Sequence, residues 1–405
     1  MKISVSSLDR VDARRFDAAA FGFALVLRLA FLTLWPHKGL DAIVDRDLYY
    51  SLAQSWLGWS PMPAFDASHP PLYTMFLAAV MGLFRTASPL PIQVIQCVLG
   101  AASVPLLRQM GARLTGETTA RWAALWVAID PPLIFFASQL ATETLFIAMM
   151  LVFFAVLLKI VDEPFSWRHT ALGLLGGLCV LCRSMFGAYP AFLFFVLWRK
   201  SGFARAFALC ALLGVGWFVP IVLWGARNYK KYGVVVPLST QLGSTLYEGF
   251  TLDREVVRRR PYDMAAEWKS LGPKDGLAGG ETVGQHFLAK TKAYIRADPW
   301  RATKIVAGKA FLYWRPFPYD PYTRVQRVVI GIYFLVVFGL GAAALFFGPR
   351  LEAWGPLWAL FAYLTAVHAV FMTSLRYRLP LEPFLCLLAA AGVAALLRVR
   401  ERSHR

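Results

Sequence analysis

The stretch from Asp45 to Tyr73, DRDLYYSLAQSWLGWSPMPAFDASHPPLY, gathers Asp45, Arg46, Asp47, Tyr49, Tyr50, Asp66 and His69 directly after the first apolar segment of a mostly hydrophobic chain. Ionisable groups beside a membrane segment are costly and usually face a cavity or a partner. Further along, Glu143, Arg183, Arg227 and the run Arg376-Tyr377-Arg378 stand at the ends of other apolar segments. A carboxylate and a set of arginines together suit one kind of reaction. The carboxylate takes the proton of an attacking hydroxyl, and the arginines bind a phosphate leaving group through paired N–H donors.

Asp45 has the best position for the base, because a helix starting there puts Tyr49 on the same face four residues on. The same position suits a helix N-cap, and spacing alone does not choose between the two roles. Asp47 reads as a solvated charge of the first turn. Asp66 and His69 are metal-ligand residue types three apart, but a lone Asp-x-x-His is a weak pattern and His69 reads first as a turn histidine. Tyr49 and Tyr50 either stack on a sugar or anchor the helix at the interface, and the same choice applies to Arg376, Tyr377 and Arg378 before Pro380. For Arg227, beside Lys230 and Lys231, anchoring is the stronger reading.

The rest of the chain must hold these residues in place. Hydrophobic residues fill 58% of 405 positions and charged ones 16%, with repeated apolar runs approaching the length of a bilayer crossing. In hydrocarbon the backbone satisfies its own hydrogen bonds, so these runs are predicted to be helices, and no alternating pattern suggests a barrel. The expected class is an all-α polytopic membrane protein, which excludes a soluble globular enzyme. The formal charge of +18 would point to nucleic acid in a soluble chain. Here the basic residues sit mainly at the ends of apolar runs, where they set topology and meet anionic membrane lipids, and no nucleic-acid partner is expected. The cysteines Cys97, Cys179, Cys182, Cys210 and Cys386 all lie in apolar segments. Cys179 and Cys182 form a CxxC without a second pair, so packing roles and no disulfide framework are expected.

Basic clusters give the topology. Arg10, Arg14 and Arg15 precede a first span at about 17–36, retained because no small-residue cleavage site follows. A long outer loop, 37–90, comes next. Within it the short apolar run at about 70–84 is expected to lie along the interface, since a crossing there would put Arg108, Arg113 and Arg121 on the wrong side. Further spans are predicted at about 91–113, 121–138 and 144–160, as a pair of short helices in 169–200 turning near Arg183 to Pro190, and at about 207–226, 327–347, 354–373 and 382–398. That makes about ten spans. Asp130 precedes Pro131-Pro132, which break the third span and leave backbone groups to satisfy. The chain divides into a transmembrane module at 1–226, a polar loop with interfacial helices at 227–324, and C-terminal transmembrane helices at 325–405. On this topology Asp45, Asp47, His69, Glu143, Arg183, Arg227, Arg376 and Arg378 all fall at the outer face. The two halves do not look like copies, which counts against an inverted-repeat transporter.

In order, the chain carries DRDLYYSLA, HPPLY, QLATETLF, CRSMFGAYP, RNYKKYGVVVPLSTQLGSTLYEG and RYRLPLEPFLCLLAAAG. Together these resemble the polyprenyl-phosphate-sugar-dependent glycosyltransferases of the GT-C fold, in the group related to protein O-mannosyltransferases and the lipid A aminoarabinose transferase. The likeness covers nearly the whole chain, although each motif alone is loose. It implies Asp45 as catalytic base with Tyr49 as the tyrosine four residues on. It also implies Glu143 as a second acid orienting the acceptor or a metal, Arg183 in the turn that follows, and Arg376 and Arg378 as ligands of the donor phosphate. Relatives commonly have an acidic pair at the first position, whereas here Arg46 replaces the second acid and Asp47 follows it. The likeness leaves room for a divalent cation, but the ligand pattern is incomplete and the metal stays open.

The candidate site is therefore Asp45 and Glu143 as catalytic carboxylates, with Tyr49, Asp47, His69, Arg183, Arg227, Arg376, Tyr377 and Arg378 as substrate contacts. The expected function is transfer of a single sugar, with inversion, from an undecaprenyl-type phosphate donor to a lipid, glycan or protein acceptor. The expected location is the periplasmic face of a bacterial inner membrane. A polyprenyl-linked glycan ligase or polymerase, and a non-enzymatic lipid transporter, are the alternatives.

Overall fold

The computed structural model describes residues 12–34, 46–63, 66–233, 235–251, 276–318, 323–347 and 352–403, and among these there is no strand. The first helix, α1 (Ala13–Leu34), is followed by the short α2 (Arg46–Trp56) and α3 (Leu72–Phe84). Next come α4 (Leu90–Thr115), α5 (Glu117–Ile129), α6 (Pro131–Ala137) and α7 (Thr142–Ile160). The central set is α8 (Trp167–Cys182), α9 (Tyr189–Ser201) and α10 (Phe203–Tyr232). Beyond it lie α11 (Leu242–Thr251), α12 (Gly276–Ala297), α13 (Pro299–Tyr313), α14 (Arg324–Phe347), α15 (Gly355–Val370), α16 (Leu375–Arg378) and α17 (Glu382–Ser403).

Six segments of the described chain are long and apolar enough to cross a bilayer: α1, α4, α7, α10, α14 and the α16–α17 unit. The bent pair α5–α6 adds a seventh if it is one span. The chain is thus a multi-pass membrane protein. The remaining expected spans correspond to shorter helices, α8, α9 and α15, of 16, 13 and 16 residues. As anticipated, 169–200 is split into two helices, parted at Arg183 by a 3₁₀ turn, Ser184–Phe186. The run at 70–84 became α3, which at 13 residues is too short to cross and packs on α2 and α4.

The break before Pro131-Pro132 is a bend of 54°. Asp130 caps α6 by accepting from the Leu133 amide at 2.9 Å, and its other oxygen accepts from the Tyr333 hydroxyl of α14 at 2.6 Å. On the other side of the bend, Arg28 of α1 donates to the carbonyls of Ala128 and Val127 at 3.2 and 3.3 Å. A buried arginine and a buried aspartate therefore take up groups that the interrupted helix gives up.

Charge separates the two ends of the bundle. At the C-terminal end of α7, Lys200 Nζ pairs with Asp162 at 2.7 Å and Arg205 donates to the Asp162 carbonyl at 2.9 Å. At its start, Glu143 meets Arg183 from the end of α8 and Arg376 from α16. With 19 residues in α7, the two clusters are about 28 Å apart. Arg227 and Asp66 pair at the far end of α10, whose first turn lies beside Asp162.

The α8–α10 pair forms a close crossing beside the site. A Cβ on Gly216 would lie 1.9 Å from the Thr170 carbonyl oxygen, and one on Gly173 would lie 2.0 Å from that of Leu213. Only hydrogen fits between such backbones. Gly216→Ala should therefore cost about 1–3 kcal/mol or more through overpacking. Gly214→Ala, which meets nothing within 4 Å, should be neutral or slightly stabilising. Thermal unfolding of the two variants in detergent checks the contrast.

Candidate active site

At the end of the bundle where α7 begins, a cavity of about 580 Å³ opens between the first loop, the α8–α9 turn, α11 and the α15–α16 connection. Its wall draws on each of the six sequence motifs. Tyr49 comes from the first, His69 and Pro70 from the second, Thr142 from the third, and Cys182 to Met185 and Ala188 from the fourth. Pro237 to Ser239, Gln241, Leu242 and Thr245 come from the fifth, and Arg376 and Tyr377 from the last. Arg183 and Arg376 bring charge to this wall, and Met185, Leu238, Leu242, Val367 and Phe371 bring apolar side chains to it.

The cationic part of the lining is an arginine pair held from behind. Glu143, in the first turn of α7, has no solvent exposure and does not reach the wall. Its Oε1 accepts from Arg183 Nη1 at 2.8 Å and from Arg376 Nε, and Oε2 accepts from Arg376 Nη2 at 3.4 Å. Arg183 caps the end of α8, where its guanidinium lies 5.8 Å from the rings of Phe146 and Tyr377. A guanidinium between two ring faces keeps its orientation while one edge is anchored.

The first loop is fastened beside this pair. Tyr49 is buried with its ring edge-on to His69 at 5.0 Å and to Tyr73 at 5.3 Å. The Tyr73 hydroxyl donates to Gln96 of α4 at 2.8 Å. His69 is not a surface histidine. Its Nε2 meets Gln241 Nε2 at 2.7 Å and its Nδ1 meets Ser68 at 3.0 Å, so the two loops on either side of the cavity are joined through its ring. Asp45, and the side chain of Asp47, lie outside the described residues.

Two arginines expected as substrate ligands are turned elsewhere. Arg227 forms a fork with Asp66, Nη1 to Oδ1 at 2.6 Å and Nη2 to Oδ2 at 2.5 Å, over the face of Trp224. Lys231, Tyr232 and Trp56 donate to the same carboxylate, so Asp66 ties the first loop to the end of α10. The reason is burial: an aspartate with 1% exposure must be paired. Arg378, also 1% exposed, donates to the carbonyls of Tyr313 and Arg315 and lies over Phe334 and Phe338, away from the cavity. Positions two apart on a helix point to nearly opposite sides, so the RYR motif divides, with Arg376 and Tyr377 at the wall and Arg378 behind it.

The structure adds residues that the sequence did not single out. Tyr363, Val367 and His368 of α15, with Phe371 and Met372, complete the wall. His368 is stacked between Tyr377 at 4.8 Å and Tyr313 at 5.4 Å. A histidine in an apolar helix was the available signal. Lys309 of α13 is fully buried and donates to the carbonyls of Gly249, Val370 and Phe371 at 2.8, 2.8 and 2.7 Å, which fixes α11 against the end of α15. Among the described residues no three His, Cys, Asp or Glu side chains gather for a metal. Glu143 and Asp66 are occupied by cations of the chain itself, and the Asp66/His69 spacing builds no ligand pair because the two point to different partners.

Residues 68–224 match the family model described as dolichyl-phosphate-mannose-protein mannosyltransferase, a stretch that contains His69, Glu143 and Arg183. Among solved structures, the archaeal oligosaccharyltransferase AglB from Archaeoglobus fulgidus, in complex with an inhibitory peptide and a dolichol-phosphate, matches over 96% of this chain at 13% identity and a TM-score of 0.57. The oligosaccharyltransferase of the same organism, tethered with an acceptor peptide, matches over 93% at 15% identity and a TM-score of 0.52. This chain spans about half of those proteins, 52% and 49% respectively. ArnT from Cupriavidus metallidurans bound to undecaprenyl phosphate is 17% identical over 93% of this chain and 77% of that one, but its TM-score of 0.39 is too low to carry weight. No curated protein matches. The fold is the GT-C fold that the sequence resemblance implies.

The Asp66 staple makes a pH prediction. Burial alone would raise this carboxyl, but hydrogen bonds from Arg227, Tyr232 and Lys231 outweigh it and hold it well below the usual carboxylate range. A carboxylate depressed on folding stabilises above its unfolded value, near 4, and that contribution is lost as pH falls toward the folded value. Asp66→Asn should therefore lower the melting temperature at pH 7, and the gap to the unaltered protein should close as pH drops below about 4.

Proposed function

We propose that the protein is a membrane glycosyltransferase that moves a single sugar from a polyprenyl phosphate to a hydroxyl-bearing acceptor at the outer membrane face, with inversion. The observation that carries this reading is the pair Arg183 and Arg376 in the wall of a cavity that is also lined by Met185, Leu238, Leu242, Val367 and Phe371. A phosphate fits the guanidinium pair, and the apolar lining residues suit the first isoprenoid units of a lipid. The sugar then lies toward Tyr49, His69 and Gln241, where ring faces and hydrogen-bonding groups meet.

In the reaction the acceptor hydroxyl oxygen bonds to the anomeric carbon as the bond from that carbon to the phosphate oxygen breaks. The electron pair leaves with the phosphate, where Arg183 and Arg376 offset the growing charge, and the hydroxyl proton passes to Asp45. A phosphate needs little protonation to leave, so arginines replace a general acid. No step is routed through a metal. Glu143 cancels one of the two arginine charges, so the described clamp carries one net positive charge. A sugar-phosphate diester has one negative charge and a diphosphate-linked donor two, which favours the monosaccharide phosphate over the ligase reading.

Asp45→Asn should cut transfer in membranes by about 10²–10⁴-fold without loss of expression. Substantial residual turnover would remove Asp45 as the base. Arg376→Ala should cost about 10²–10³-fold in kcat. Detergent-purified protein supplied with undecaprenyl-phosphate-linked monosaccharide should transfer sugar with no compartment to cross, an outcome that a pure transporter cannot give.

A further inference from the structure

Resting on that reading of the cavity, we infer that Glu143 is the positioning residue of the donor-phosphate clamp, acting through Arg183 and Arg376 and contacting neither acceptor nor metal. The two arginines come from segments nearly two hundred positions apart and both reach the cavity wall, whereas the fully buried Glu143 does not. Its oxygens receive Arg183 Nη1 at 2.8 Å, Arg376 Nε, Arg376 Nη2 at 3.4 Å and the Thr142 hydroxyl at 3.5 Å. A carboxylate offers about four lone-pair positions, and the chain itself fills them. The Arg183 side chain donates to no described residue but Glu143, so its remaining guanidinium N–H groups are left for the cavity.

A long arginine side chain has many rotamers, and a clamp that must meet a phosphate in a fixed geometry loses heavily when it is set wrongly. The charge on Glu143 works in the opposite sense. A negative group behind two arginines weakens their pull on an anion, so removing it would tighten phosphate binding if Coulomb attraction were all that mattered. The sign of the change therefore separates positioning from charge.

The test is binding of undecaprenyl phosphate to the detergent-purified full chain, read by quenching of tryptophan fluorescence, for the unaltered protein, Glu143→Gln, Arg376→Ala and the double variant. Glu143→Gln is expected to weaken binding about tenfold or more, and the double variant to lose less than the product of the single losses. Glu143→Asp keeps the charge but shortens the reach, and should fall between the unaltered protein and Glu143→Gln. It also carries the test if thermal melting shows that Glu143→Gln does not fold. Binding by Glu143→Gln that is as tight as, or tighter than, that of the unaltered protein would overturn the inference, as would losses that multiply. If the unaltered protein fails to bind undecaprenyl phosphate, the donor-cavity reading falls and this inference with it. If the unaltered protein binds and Arg376→Ala weakens binding while Glu143→Gln leaves it unchanged, this inference alone falls.

Discussion

A carboxylate shielded from solvent between two guanidinium groups is the interaction on which the working end of this molecule depends. Glu143 begins α7, Arg183 ends α8, and Arg376 stands on the short helix before the last span. None of the three charges is tolerable alone beside hydrocarbon, and together they hold three separate parts of the chain at one point. The cavity forms around that point. The Asp66 fork with Arg227 and the Lys309 contacts to three carbonyls do for the first loop and for α11 what Glu143 does for the arginines.

Much of this was legible in the sequence. Runs of apolar residues and the placement of arginines along them gave the class and the split of 169–200. The two prolines after Asp130 gave the bend. These features are local, since they follow from the need to satisfy backbone groups in hydrocarbon and from the cost of burying unpaired charge. The convergence of the six motifs was also readable, because polar residues gathered beside spans have few places to go.

What the sequence withheld was direction. Arg376 and Arg378 look alike in RYR, yet one faces the cavity and the other is buried against Tyr313 and Arg315, a choice made by packing on α13 and α14. Arg227 and Asp66 lie 161 positions apart, and nothing in their spacing announces the fork between them. Arg28 serves the bend at Asp130 from another helix, and Lys309 is hidden in a segment that reads as an ordinary basic interfacial helix. His368 and the α15 part of the wall are apolar surroundings whose role exists only once the cavity does.

The central claim is that Arg183 and Arg376 hold a lipid-linked phosphate at the head of this cavity. A cryo-electron microscopy structure of the purified protein with undecaprenyl phosphate tests it most directly. The phosphate should lie within hydrogen-bond distance of both guanidinium groups, with the lipid running along Leu238 and Val367. A phosphate bound instead at Arg227 and Lys231, with the Arg183–Arg376 pair unoccupied, would contradict the account.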